Sequence, residues 1–317
     1  LNKKILIIFV TLISIFLINL YSQVFLNHDI FGNILESDYQ RVSSFFGSEY
    51  IAGSYLFFIF SIIILITKDF KIPICFLLIT IYFGIFFSGD RTPFLSVNFL
   101  LILLFIANLK KLIFSQKFIF SIILIPTIIS LLILLHSSRI INLTAIDKYK
   151  NTYKNIINDI KQKENNENHL GLKRWAYYGL YSKSLVIFNN NKYFGTTYKS
   201  FRYECGNKKY DEDYSKITKG LEYIGCSTHP HNIYLEILSE QGIFGFFIFI
   251  FVIYNFFKLS NKFSYFNNIN YKIFLIVYFF PIKPFGSLYT NFNLIMFSAT
   301  IALFIIFNKK KITQSYN

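Results

Sequence analysis

The sequence predicts an all-α polytopic membrane protein of about eight transmembrane helices with one large external loop domain. Three observations predict it. Of the 317 residues, 54% are hydrophobic and only 15% are charged. Apolar runs recur along the chain at close to the roughly 20 residues that a helix needs to cross the hydrocarbon core. The lysines gather in alternate gaps between those runs.

The first run, 5–21, follows Lys3 and Lys4 and looks like a signal peptide. No small-residue cleavage pattern precedes Asn27-His28-Asp29, so a retained span is expected. An external segment, 22–50, carries Asp29, Glu36, Asp38, Arg41 and Glu49. Runs 51–67, 72–87, 93–109 and 118–135 supply spans two to five, several of them near the short limit. Residues 138–230 are polar, rich in Asn, Lys and Tyr, and hold the sole Trp. A loop of that length is expected to have a function of its own. Within it, 148–163 reads as an exposed helix, and 172–188 as a second with Trp175, Tyr178, Leu185 and Val186 on a buried stripe. Runs 231–257, 271–287 and 291–307 complete the eight. The chain thus divides into 1–137 (spans one to five), 138–230 (loop domain) and 231–317 (spans six to eight).

Orientation follows from thirteen lysines. Lys3, Lys4, Lys68, Lys71, Lys110, Lys111, Lys117, Lys258, Lys262, Lys272, Lys309, Lys310 and Lys311 all fall on one side of an eight-span arrangement. The short gaps opposite hold only Arg41 and Arg91. That asymmetry places both termini in the cytoplasm. The net charge of +15 is therefore a topology signal with a basic external loop, and nucleic-acid binding is not expected. Cys205 and Cys226 share the external loop, whereas Cys75 lies in the third run. An oxidising compartment favours a disulfide between the first two, with free thiols as the alternative.

Two motifs carry candidate chemistry. Ser88-Gly-Asp-Arg-Thr-Pro93 reads as a helix start, with Asp90 as N-cap and Pro93 in the first turn. It also holds Arg91 at a membrane edge, where a planar guanidinium suits bidentate recognition of phosphate. In His229-Pro-His-Asn232, Pro230 sets the helix start near His231. The two imidazoles are either caps or proton acceptors near neutral pH. Asn232, Glu236 and Glu240 follow at i, i+4 and i+8 on one helix face. That stripe is either an amphipathic turn, with the true span starting near Gly242, or the lining of a hydrated cavity. Gly242 and Gly245 would admit close helix packing.

Further cations are Arg174 beside Trp175, Arg41 in Arg41-Val-Ser-Ser-Phe-Phe-Gly47, and Lys283 between Pro281 and Pro284. The prolines should break the seventh span and leave Lys283 near the outer surface, to snorkel or to join an anion site. Arg41, Arg91, Lys283 and the two histidines together form what a lipid-linked phosphate or pyrophosphate requires. No paired-Asp sugar-nucleotide motif, glycine-rich nucleotide loop or metal-ligand pattern accompanies them, so no cofactor or metal is expected.

These residues resemble the O-antigen ligase and O-antigen polymerase superfamily of bacterial envelope glycan enzymes. The likeness rests on Ser88-Gly-Asp-Arg-Thr, on His229-Pro-His-Asn-Ile-Tyr-Leu-Glu-Ile-Leu-Ser-Glu-Gln-Gly-Ile-Phe-Gly245, and on Arg41-Val-Ser-Ser-Phe-Phe-Gly with Ala52-Gly-Ser-Tyr-Leu. It implies an inverting, metal-independent glycosyltransferase of the inner membrane with a periplasmic loop domain. The donor would be a glycan on undecaprenyl pyrophosphate. The acceptor would be lipid A-core for a ligase, the reading placed first, or another lipid-linked repeat for a polymerase. By resemblance Arg91 holds the pyrophosphate, His231 positions or deprotonates the acceptor hydroxyl, and Arg174 also touches the pyrophosphate. Arg41, Lys283, His229, Asn232, Glu236 and Glu240 are the further candidate binding residues. The family usually has ten to twelve or more spans, so helices ahead of Leu1 are expected to be missing, or the chain is a short or inactive variant. A transporter or flippase for lipid-linked sugars is the rival from another class; it predicts inverted repeats and broken helices, and the sequence shows the break at Pro281–Gly286 but no repeat.

Overall fold

The computed structural model describes residues 3–33, 41–47, 49–67, 72–108, 177–218, 226–261, 263, 265–281, 283 and 286–314. Among these residues the chain is helical and has no strand. The helices are α1 (Lys3–Leu26), α2 (Ala52–Ile66), α3 (Ile72–Phe87), α4 (Arg91–Asn108), α5 (Tyr178–Asn190), α6 (Phe201–Glu204), α7 (Asp211–Thr218), α8 (Ile233–Ser260), α9 (Tyr265–Tyr278) and α10 (Asn291–Gln314). Two segments, Ile7–Leu26 and Ile233–Ser260, are long and apolar enough to cross a membrane. Ala52–Ile66, Ile72–Phe87, Arg91–Ala107 and Asn291–Phe307 are shorter apolar helices. The fifth apolar run and the expected helix at 148–163 lie outside the described residues.

The described chain forms two compact units. The first draws on 1–154, 269–278 and 300–317, and the second on 155–268 and 279–299. In the first, α2 is apolar on every face and buried nearly throughout, as a helix at the middle of a bundle must be. Polar side chains tie the neighbouring helices together. The Tyr21 hydroxyl donates to the Thr80 carbonyl at 2.7 Å, and the Tyr82 hydroxyl to Asn98 Oδ1 at 3.1 Å. Such bonds hold apolar helices in register where the hydrophobic effect supplies no preference between them.

The second unit is built on α5, whose buried face carries Leu180, Val186 and Ile187 against Phe201, Cys205 and Tyr210. Leu185, expected on that stripe, is 41% exposed instead. The helix turns Ser184, which bonds back to the Leu180 carbonyl, inward in its place. Lys183 is also buried, held at 2.9 Å by Asp211 and lying over the Tyr214 ring. Cys205 and Cys226 are joined by a disulfide, with Cα atoms 5.1 Å apart. Replacing both by Ser is expected to remove about 3 kcal/mol of stability, the chain-entropy value for a loop of this size. Thermal unfolding of the detergent-solubilised protein, with and without reductant, checks it.

The seventh apolar run departs from expectation. Its helix, α9, ends at Tyr278 rather than near residue 287. The described residues between Tyr278 and Asn291 instead form a connection, and the side chains of Asn232, Tyr234 and Glu236 take up backbone groups of Pro281, Phe279 and Leu288. A helix through Pro281 would have lost those bonds and clashed at the proline ring.

Candidate functional site

Helix α8 begins with Asn232 as its N-cap. The Asn232 Oδ1 accepts from the amides of Tyr234 and Leu235 at 3.0 and 3.2 Å, satisfying two of the donors a helix start leaves unpaired. Its Nδ2 donates to the Pro281 carbonyl at 2.7 Å. Just before the cap, His231 takes a positive φ of 57°, a left-handed conformation that costs a non-glycine residue of order 1 kcal/mol. Its surroundings hold it there. The Tyr181 hydroxyl donates to the His231 carbonyl at 3.4 Å, and the Tyr177 ring lies 5.2 Å from the imidazole. Burial pushes the Tyr181 phenol up to about 12, so it remains a donor. The turn also brings the His229 ring to 4.1 Å from that of His231, with Thr228 Oγ1 at 3.0 Å from His229 Nδ1.

An imidazole in its neutral form can accept a proton, and this turn holds two of them side by side.

Glu236 and Glu240, one and two turns on, are both buried. Glu236 accepts from the Leu288 amide at 3.2 Å. Glu240 accepts from the amides of Lys199 and Phe201 at 2.8 and 3.1 Å. With Asn232, the stripe therefore clamps two distant segments: the connection that carries Lys283, and the loop that leads into α6. Tyr234, bonded to the Phe279 carbonyl, and Gln241, bonded to the Tyr289 hydroxyl, complete the first clamp. Lys283 is half-buried in that connection.

The helix then breaks. Gly242 has φ 64° and ψ −164°, a conformation essentially reserved for glycine. The nine residues before it are packed and carry Glu236, Ser239, Glu240 and Gln241, whereas the stretch after it, from Ile243, is apolar and half-buried or exposed until Ser260. The break falls at the residue where one of the two sequence readings starts the span. The glycine serves a loop contact: a Cβ there would overlap the Tyr193 carbonyl and stand 2.6 Å from the Gly195 nitrogen.

The arginine motifs belong to the first unit. Ser88 turns its hydroxyl to the Ile85 carbonyl and accepts from the Asp90 amide, closing the turn ahead of Arg91, the first residue of α4. Asp90 accepts from Ser54 at 3.4 Å, and Gly53 leaves room for both Ser88 and Asp90. The segment carrying Arg41 joins the same turn, because the Val42 amide donates to the Ser88 carbonyl at 3.3 Å. Ser44 anchors that segment to α1, bonding Gln23 through both backbone groups and Asn19 through its hydroxyl. Nothing in the motif Arg41–Gly47 announced these partners, which lie on α1 some 20 residues back. Arg41 and Arg91 are thus held on one turn assembly. His229, His231, Asn232, Glu236, Glu240 and the Lys283 connection are held on another, and Arg174 lies outside the described residues. Tyr177 and Tyr181 were missed by sequence reasoning; their spacing of one helical turn was the available signal.

No curated protein matches the chain. The sequence profile of a family described as O-antigen ligase matches residues 75–250, more than half of the chain. The matched stretch contains Arg91, both bonded cysteines, the histidine pair and the break at Gly242. The chain belongs to the O-antigen ligase family, bacterial membrane proteins of ligase and polymerase type that act on lipid-linked glycans.

Proposed function

We propose that this protein transfers a glycan from undecaprenyl pyrophosphate to an acceptor hydroxyl at the periplasmic face of the inner membrane, as a ligase with lipid A-core as acceptor. The fold reading that goes with it is eight spans, both termini cytoplasmic, with 138–230 as a periplasmic domain. The observation that carries the proposal is the histidine pair, its ring centres 4.1 Å apart on a strained, buttressed turn inside the family-matched stretch.

In this reading His231 accepts the proton of the acceptor hydroxyl as its oxygen bonds to the anomeric carbon. The bond from that carbon to the pyrophosphate oxygen breaks on the opposite face, and its electron pair leaves with the pyrophosphate. Attack opposite the leaving group inverts the anomeric centre. Arg91, with Arg41 and Lys283 and with Arg174 by resemblance, neutralises the departing anion, and guanidinium forks do this without a metal. His229 packs its ring beside that of His231 and helps to fix its position. Asn232, Glu236 and Glu240 act through the segments they hold.

The test is the glycan profile of a strain lacking the gene, complemented with wild type or His231→Ala at matched membrane levels. A ligase predicts a normal lipid A-core without long chains and polymer accumulating on the lipid carrier. Core carrying a single repeat indicates a polymerase instead. Full restoration by His231→Ala overturns the assignment of the base.

A further inference from the structure

The loop 191–199 is locked to the start of the apolar part of α8. The Ile243 amide donates to the Lys192 carbonyl at 2.8 Å and the Phe244 amide to the Tyr193 carbonyl at 3.3 Å. The Thr197 amide donates to the Glu240 carbonyl, and Thr196 bonds the Ser239 carbonyl through both its amide and its hydroxyl. Gly195, Thr197 and Lys199 all have positive φ. Two of these are not glycine, and such a loop keeps its shape only because its surroundings over-determine it.

What this rigid loop displays is unusual for a water-facing surface. Phe194 is 78% exposed and Tyr193 68% exposed. Phe194 stacks on Phe244 at 5.1 Å, and Phe244 is itself exposed at the head of the apolar stretch. From there the uncovered surface continues down α8 through Phe247, Ile248 and Phe251. Lys192 and Lys199 flank the aromatic tip, with the Lys199 ammonium 5.2 Å from the Tyr198 ring. Aromatic rings between an apolar wall and lysine heads are the chemistry of a bilayer's interfacial zone, where rings sit at headgroup level and ammonium groups reach lipid phosphates.

We propose that loop 191–199 is a membrane anchor: Tyr193 and Phe194 insert among the lipids beside Phe244, with Lys192 and Lys199 on the headgroups. The occupant is bulk bilayer lipid, because the patch runs unbroken into the surface of a membrane-crossing segment. The anchor fixes the depth at which the second unit meets the bilayer. Its opposite end follows from α5, which runs from Tyr177 at the histidine turn to Asn190 at the loop, roughly 20 Å at 1.5 Å per residue. Ile217, bonded through its carbonyl to Tyr178, marks that far end. The proposal rests on family membership and on the span that follows Gly242, and is independent of the transferase reading.

The test uses the full chain with its one Trp removed by Trp175→Phe, reconstituted in phosphatidylcholine–phosphatidylglycerol vesicles. A Phe194→Trp reporter is compared with an Ile217→Trp reporter, using lipids brominated near the glycerol end or near the methyl end of the acyl chain. The expected result is a blue-shifted Phe194→Trp emission, lost most strongly to the shallow bromines, with Ile217→Trp unquenched. Unquenched emission from Phe194→Trp overturns the proposal, since protein or water then covers the loop. Quenching of both reporters overturns it too, because the unit would then lie flat in lipid. Neither readout needs activity.

Discussion

Replacing Gly242 by Ala is expected to abolish accumulation of folded protein. Two penalties combine at this residue. The backbone conformation is one that a Cβ resists, at about 1–3 kcal/mol. The added atom would also overlap the Tyr193 carbonyl, a backbone group fixed by its bond from Phe244, and forced overpacking of this kind costs a further 1–3 kcal/mol or so. Their sum is of the order of a domain's whole margin of stability. The neighbours have no cheap escape, because a Cβ on Gly242 would meet the backbone of Tyr193 and Gly195, while Gly195 is itself pressed against the backbone of Glu240 and Gln241. Relief would therefore require the loop to leave α8, breaking the bonds from Ile243, Phe244 and Thr197. Gly206→Ala is the matched control, as a Cβ there meets nothing closer than 4.0 Å. Fluorescence-detected size exclusion and thermal unfolding in detergent read the difference. A Gly242→Ala protein that unfolds with the wild-type midpoint would show that the break does not hold the two segments together.

The same break explains which parts of the molecule were legible in the sequence. Apolar runs near 20 residues fixed the positions of α1 to α4, α8 and α10, because the pattern is local and strong. The Asn232, Glu236 and Glu240 stripe was visible for the same reason: spacing along one helix is a property of neighbours in sequence. Its partners were not. Pro281, Leu288, Lys199 and Phe201 lie 39 to 52 residues away, and no local pattern records which backbone amide a carboxylate will meet. Gly242 was read as a packing glycine between helices, whereas it accommodates a loop. That error came from the same source, since a glycine's neighbour in space is not written beside it in sequence. The end of α9 at Tyr278 was half legible. Pro281 announced a break, but the two further residues surrendered from the helix, Phe279 and Phe280, reflect bonds to Asn232 and Tyr234. The histidine turn was found by its residue types, and its strain only by its dihedral angle.

Arg91→Ala is expected to lower glycan transfer by roughly 10²–10³ with membrane levels unchanged, the range seen when one preorganised group facing developing charge is removed. The physical reason is that charge appears on the pyrophosphate only as the glycosidic bond breaks. A cation placed there acts more on the transition state than on bound donor. The loss should therefore fall mainly on kcat, with a smaller change in KM for the lipid donor. Arg91→Lys separates charge from geometry. An ammonium keeps the charge but not the two-pronged fork, so it should recover part of the rate and leave a residual deficit. Arg41→Ala should be milder, since among the described residues its segment is tied to that turn by the Val42 bond to Ser88. Ser88, Asp90 and Ser54 bond to one another around the turn, and thermal unfolding of each variant checks that the turn keeps its fold. In vitro transfer from a purified lipid-linked donor, with protein quantified in the same membranes, measures all three variants. Wild-type turnover by Arg91→Ala would remove the leaving-group role from this residue, and equal recovery by Lys would leave a bare positive charge as its whole contribution.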